Sequence, residues 1–191
     1  MEMIDPAMLA SERIRPLRRR EYDRLVQLGY FEDEKIELLN GMLVAMSPTG
    51  AGHAYAVTKL FTLFVRGLGD RAGVRSQVPL GASEDSEPEP DLAVVPNQDY
   101  SHDHPTQALL IVEVAESSLR KDRGVKAALY ARAQVPEYWI LNLTDRTVEV
   151  HRAPRGERYT SVVTHAAGDV IHPESFPDLK ISIAEVLPRV G

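Results

Sequence analysis

The chain has 191 residues, of which 43% are hydrophobic and 26% charged, with a formal net charge of −6; this fits one domain with a sizeable core and the composition of an ordinary globular protein. It has no cysteine, which excludes disulfides and thiolate metal sites and agrees with a reducing, cytoplasmic setting. No apolar run is long enough to cross a bilayer, and the acidic balance gives no help to a binder that depends on bulk phosphate neutralisation.

Residues 1–16 carry charges and no apolar centre, so they read as a flexible lead-in rather than a secretory signal, and 17–191 read as a single domain. The spacing predicts a helix over 18–28, with Tyr22, Leu25 and Val26 on its apolar side. Two apolar runs, 35–39 and 42–46, flank Asn40-Gly41, a strong hairpin signal because both residues tolerate positive φ. Ser47-Pro48-Thr49-Gly50 breaks the pattern. A helix follows over 52–68, with Val57, Leu60, Phe61, Phe64 and Leu68 on one face.

Residues 74–80 read as a strand, 83–90 as an acidic, proline-rich loop, 91–95 as a short strand and 109–115 as its neighbour. A helix is predicted over 122–133, with Val125, Ala128, Leu129 and Arg132 as one face and Asp122, Lys126 and Tyr130 as a flank. Asp122 and Lys126 have the spacing of an i,i+4 ion pair. Pro136 ends that segment, and 137–143 form another apolar strand. A last hairpin spans 147–152 and 158–164, and 181–187 make a short apolar closing segment. This order predicts an α/β (α+β) fold, a mixed sheet flanked by helices, with a right-handed crossover joining parallel strands at 109–115 and 137–143.

Glu113 stands out because it lies inside Leu109-Leu110-Ile111-Val112-Glu113-Val114-Ala115, a run that otherwise reads as a buried strand. An ionised carboxylate in a buried strand costs several kcal/mol unless a cation or hydrogen bonds compensate it. Alternation puts it on the same face as Leu109, Ile111 and Ala115. Asp91 opens a strand after Pro90, at a sheet end where loops make clefts. Lys126 sits on the crossover helix, from which a long side chain can reach the end of the Glu113 strand. Glu37 lies among Ile36, Leu38 and Leu39. Singly, each has an ordinary explanation: a turn aspartate, a structural ion pair, a solvated lysine, and the outward position of a strand.

Together, Pro90-Asp91, Glu113-Val114-Ala115 and Lys126 resemble a variant PD-(D/E)xK nuclease motif, with Ala115 where the motif lysine usually stands and a helix lysine in its place. Further segments, Ile36-Glu37-Leu38-Leu39-Asn40-Gly41, Ser47-Pro48 with His53, Pro88-Glu89-Pro90-Asp91-Leu92, Val112-Glu113-Val114-Ala115-Glu116-Ser117-Ser118, Asp122 with Lys126 and Tyr130, and Pro136-Glu137-Tyr138-Trp139-Ile140, are similar to the Uma2-like (DUF820) family of bacterial endonucleases. The resemblance covers about 17–143 and continues more loosely to the end. The chain departs from the family at Asn40, often aspartate there, and at Asn142, also often aspartate.

The resemblance implies a restriction-endonuclease-like fold and a metal-dependent endonuclease acting on nucleic acid, with DNA favoured. It implies catalytic roles for Glu37, Asp91, Glu113 and Lys126. Mg²⁺ or Mn²⁺ would be held by Asp91, Glu113 and the main-chain carbonyl of Val114. His53 and Asp122 are auxiliary candidates. Tyr130 and Trp139 read as core aromatics under the site, Glu116, Ser117 and Ser118 as its mouth, and His102 and His104 as loop residues. Arg66, Arg71, Arg75, Arg120 and Arg123 are candidate phosphate contacts, and a homodimer is expected by analogy. Two other classes compete: a nuclease fold kept as a non-catalytic interaction module, and another paired-carboxylate hydrolase such as a glycosidase. The site lysine and the single tryptophan argue against the second.

Overall fold

A computed structural model describes residues 15–189. Residues 1–14, which hold most of the lead-in and Arg13, lie outside the described part, as do 190–191. The centre is a six-stranded sheet. Its strands are β3 (Gly73–Arg75), β4 (Leu92–Val95), β5 (Leu110–Ala115), β6 (Glu137–Asn142), β7 (Thr147–Arg155) and β8 (Arg158–Ala166), in that spatial order. Only β5 and β6 run parallel. Their connection carries α3 (Leu119–Lys121), a π-helical turn (Asp122–Lys126) and α4 (Ala127–Arg132). The mixed sheet and the parallel pair agree with the sequence reading.

Strand alternation divides β5 between two cores. Leu110, Val112 and Val114 join an apolar cluster built on α2 (Ala51–Leu68), through Ala56, Val57, Leu60, Phe64 and Leu68. Ile111 and Ala115 join a second cluster with Leu129, Tyr130 and Ala131 of α4. Helices therefore cover both faces, and the all-buried β4, β5 and β6 have the apolar character that such cover demands. Leu109 packs with the α2 cluster rather than on the Glu113 face, because it precedes the strand.

The first hairpin, β1 (Ile36–Leu39) and β2 (Met42–Ala45), forms as expected. Asn40 and Gly41 take φ of 49° and 75°, the left-handed pair that a two-residue hairpin turn needs. The predicted acidic loop at 83–90 is not a solvent loop. Glu87 and Leu38 exchange backbone hydrogen bonds at 2.8 and 3.3 Å. This bridge pins β1 to the segment leading into β4, so Glu37 lies beside Glu89 and its N–H.

Several local expectations need correction. The strand expected over 74–80 stops at Arg75, because Gln77 turns to φ 52° and its N–H goes to the Pro90 carbonyl at 3.0 Å. In α1 (Arg19–Gln27) only Tyr22 is buried, and Val26 is half exposed. Phe61 of α2 is 37% exposed. The crossover helix buries both Leu129 of its expected apolar face and the expected flank of Asp122, Lys126 and Tyr130, while Val125 is exposed. The last hairpin is longer than predicted and turns at Gly156 (φ 60°). The closing segment splits into β10 (Ile181–Ser182), paired with β9 (Val170–Ile171), and α5 (Ile183–Val186).

Candidate active site

The C-terminal end of β5, the entry to β4, the segment 46–50 after β2, the N-terminus of α2 and the π-helical turn meet around one polar cleft of about 80 Å³. Asp91, Glu113, Val114, Lys126, His53 and Asp122 line it, as do Glu116, Ser117 and Ser118, the residues expected at its mouth. Glu37 lies directly behind this wall, fully buried.

Lys126 is the hub. Its Nζ lies 2.9 Å from Glu113 Oε1 and 3.1 Å from Glu37 Oε2. Buried at 3% exposure, an ammonium is retained only if paired; here two carboxylates hold its pKa above the usual lysine range against the opposing effect of burial. Glu113 Oε1 also accepts the Tyr130 hydroxyl at 2.8 Å. Tyr130 is thus more than a core aromatic. Trp139 is not under the site at all: it lies on the opposite face of the sheet, packed against Phe64.

The π-helical turn has a local cause. The Ala127 N–H reaches back five residues to the Asp122 carbonyl, and the same carbonyl accepts the Tyr138 hydroxyl at 3.2 Å. Such wide turns concentrate at functional sites. Asp122 does not form the expected ion pair with Lys126. Its carboxylate takes the Ser118 hydroxyl at 2.5 Å, and burial raises its pKa.

Asp91 is fixed by the end of the β4–β5 ladder. Its Oδ2 accepts the Val114 N–H at 2.8 Å and lies 3.0 Å from His53 Nε2. Gln77 Nε2 approaches Oδ1 at 3.5 Å. The hydrogen bond to Asp91 raises the His53 pKa, with burial opposing it. Burial, with Asp91 and Asp122 nearby, pushes Glu113 up to about 8 although Lys126 pulls it down. Glu37 is shifted the other way: burial raises it, but Lys126 and Lys121 together lower it.

Lys121 was not legible as a site residue. It donates to Glu37 Oε1 at 2.7 Å, and only the fold of the crossover helix reveals this. Gln77 and Glu89 also line the cleft; Gln77 carries no sequence signal, and Glu89 is marked only by its place in the acidic, proline-rich run before Asp91. Of the arginines expected to meet phosphate, Arg123 binds Glu149, Arg71 binds Asp178, and Arg75 sits 5.6 Å over the Tyr100 ring. Arg66 and Arg120 have no ion-pair partner among the described residues. His102 and His104 line a separate cavity beside α1.

The cation that the sequence required opposite Glu113 is the Lys126 ammonium at 2.9 Å, although it offsets only part of the burial that pushes the Glu113 carboxyl up. Among the described residues no three His, Cys, Asp or Glu side chains are arranged to hold a metal by themselves. The donor set still fits a hard cation. Asp91 Oδ1 has only the long Gln77 contact, and Glu113 Oε2 has no hydrogen-bond partner among the described residues. Two carboxylates and a main-chain carbonyl, completed by waters, are the ligands Mg²⁺ accepts.

A six-stranded mixed sheet between helical layers, with acids and lysines gathered at the end of its parallel pair, defines a nuclease-like α+β fold. The chain belongs to the Uma2 family, whose model, described as "Putative restriction endonuclease", matches residues 19–184. A solved structure from Anabaena variabilis, described as a "putative nuclease belonging to DUF820", is similar over 90% of this chain and 97% of that one, with 14% identity and a TM-score of 0.70. At that identity the likeness speaks for the fold. No curated protein matches the chain. No described helix is long and apolar enough to cross a membrane.

Proposed function

We propose that this protein is a divalent-metal-dependent endonuclease that hydrolyses phosphodiester bonds, with DNA as its nucleic acid. The observation that carries the reading is the convergence of Asp91, Glu113 and Lys126 on one cleft from three separate elements. Asp91, Glu113 and the Val114 carbonyl would hold Mg²⁺ or Mn²⁺, which when bound acidifies a water and polarises the scissile phosphate.

The chain's own groups have distinct tasks in this reading. The Val114 N–H and His53 fix Asp91 so that Oδ1 faces the cleft chemistry. Tyr130 and Lys126 hold Glu113 by Oε1 and leave Oε2 available. An ammonium has three donors; Glu113 and Glu37 engage two of those of Lys126, leaving one to orient the attacking water or meet charge developing on the phosphoryl oxygens. Glu37 keeps Lys126 charged and in place, and Lys121 balances Glu37. Asp122 borders the cleft and keeps the π turn in register through Ser118.

One observation favours a second reading. Because Lys126 already pairs with both Glu113 and Glu37, the network can persist as a structural cluster in a non-catalytic module. Incubation with supercoiled plasmid, linear DNA and RNA in Mn²⁺ or EDTA separates the two. The nuclease reading expects Mn²⁺-dependent nicking that Asp91→Ala, Glu113→Ala and Lys126→Ala each abolish. Equal cleavage by all four proteins would mean contamination, and the absence of both cleavage and Mn²⁺ binding would favour the structural cluster. A homodimer, positioned to cut two strands, is proposed by analogy, and sedimentation with and without DNA tests it.

A further inference from the structure

We propose that the small cavity adjoining the cleft is a nucleobase subsite, with Phe61 as its stacking face, so that the substrate carries an unpaired nucleotide beside the scissile phosphate. This rests on the reading of the cleft as a phosphodiester site. The cavity has about 230 Å³ of room and shares two residues, Thr49 and Gln77, with the cleft. A phosphate drawn into the cleft by a cation on Asp91 and Glu113 would therefore have the cavity as its neighbour.

The wall of this cavity is one stripe of α2. Ala54, Val57, Thr58 and Phe61 line it at i, i+3, i+4 and i+7, the spacing of a single helix face. His53 precedes the stripe and reaches Asp91, so one rigid helix sets both the acid and the cavity. Val57 is buried, but Phe61 is 37% exposed; the sheet core did not absorb it. Ser76 and Gln77, from the segment after β3, also line the cavity. Ser76 Oγ donates to the Asp91 carbonyl at 2.9 Å, and Gln77 is held at φ 52° with its amide near Asp91 Oδ1. A non-glycine residue kept in the left-handed region needs its surroundings to enforce it, and such strain gathers at ligand sites.

An exposed aromatic ring on one side with hydroxyl and amide groups at the rim suits a flat heteroaromatic ring. Its face stacks on Phe61, and its edge bonds to Thr49, Thr58 or the Gln77 amide. A base inside an intact duplex stack cannot enter. Unpaired nucleotides in single strands, frayed ends or bulges enter without the unpairing cost.

The test uses single-stranded oligonucleotides with phosphorothioate linkages to slow hydrolysis and one 2-aminopurine, whose emission falls on stacking. Anisotropy reports binding and emission reports stacking, in the presence of Mn²⁺. Binding should quench the emission. Phe61→Leu should remove the quench and weaken binding about tenfold, while Phe61→Tyr behaves as wild type and duplex affinity stays unchanged. Thermal melting of both variants checks that the fold is intact. If Phe61→Leu retains both quench and affinity, the subsite is overturned while the cleft stands. If wild-type protein shows no anisotropy change with any strand, the reading of the cleft falls, and the subsite with it.

Discussion

The two faces of the central sheet are built from different chemistry, and β5 contributes to both. Toward α2 it presents Leu110, Val112 and Val114 to a dry cluster that includes Trp139 and Phe64. Toward the crossover helix, between Ile111 and Ala115, it presents Glu113 to an ammonium and a phenol. On the first face, burial of apolar area is the reason for the arrangement. On the second, two buried carboxylates share one buried lysine, an arrangement that well-packed apolar residues of equal volume could often replace without loss of stability. The expensive face is the one that carries the candidate chemistry, and the cheap face holds the sheet rigid beneath it.

This contrast predicts that activity and stability separate by face. The largest effect is expected from Glu113→Gln. It keeps the shape and removes the charge, so cleavage should fall by roughly a thousandfold, several kcal/mol of lost transition-state stabilisation, with the fold retained by circular dichroism. Phe64→Ala, on the other face, should cost about 3–5 kcal/mol in urea unfolding while leaving Mn²⁺ affinity unchanged at temperatures where the protein is folded. If Phe64→Ala abolishes metal binding in folded protein, the division of labour is wrong.

Lys126→Met joins both properties. It leaves Glu37 and Glu113 buried without their shared cation, and a loss of about 3–5 kcal/mol is expected together with loss of cleavage. Adding Glu113→Gln to it should recover part of the stability and none of the activity, a double-mutant result that separates ion-pair cost from catalytic role.

The charged face also sets a pH dependence. Glu113 is pushed up to about 8 from 4.5 by burial. Glu87 is raised to about 7 by burial and by Asp23, and His53 is raised by Asp91. Each makes the folded state hold more protons than the unfolded chain, so stability in EDTA should fall as pH rises from about 4.5 through 8. Glu37, whose value is lowered, acts oppositely, but only as pH falls below the ordinary glutamate range. Urea midpoints across pH check this, and Glu113→Gln should flatten the slope. A midpoint that rises steadily over the range would contradict the sign. The smallest effect is expected from Tyr130→Phe. It removes one hydrogen bond to Glu113, about 1.5–3 kcal/mol at a charged acceptor, and should lower cleavage less than any change at Asp91, Glu113 or Lys126.

Much of this molecule was written in local patterns. The Asn40-Gly41 turn, the apolar strands at Leu92–Val95, Leu110–Ala115 and Glu137–Asn142, and the α2 stripe follow from backbone freedom and side-chain period. Those two properties act over a few residues and need no partner. The anomaly of Glu113 was legible for the same reason, since a charge in an apolar run breaks the pattern. Three things were not in the sequence. The π turn at Asp122–Lys126, and with it the exposure of Val125, was hidden because one wide backbone turn leaves no mark on side-chain period. Lys121 on Glu37 was hidden because 84 residues separate the partners. The bridge from Leu38 to Glu87 was hidden because backbone pairing between irregular segments leaves no mark on side-chain type. The chain itself determined which groups carry charge and which elements form. Only folding decided which charges meet, because the strength of an ionic contact depends on separation and burial, and neither is a property of a residue read in isolation.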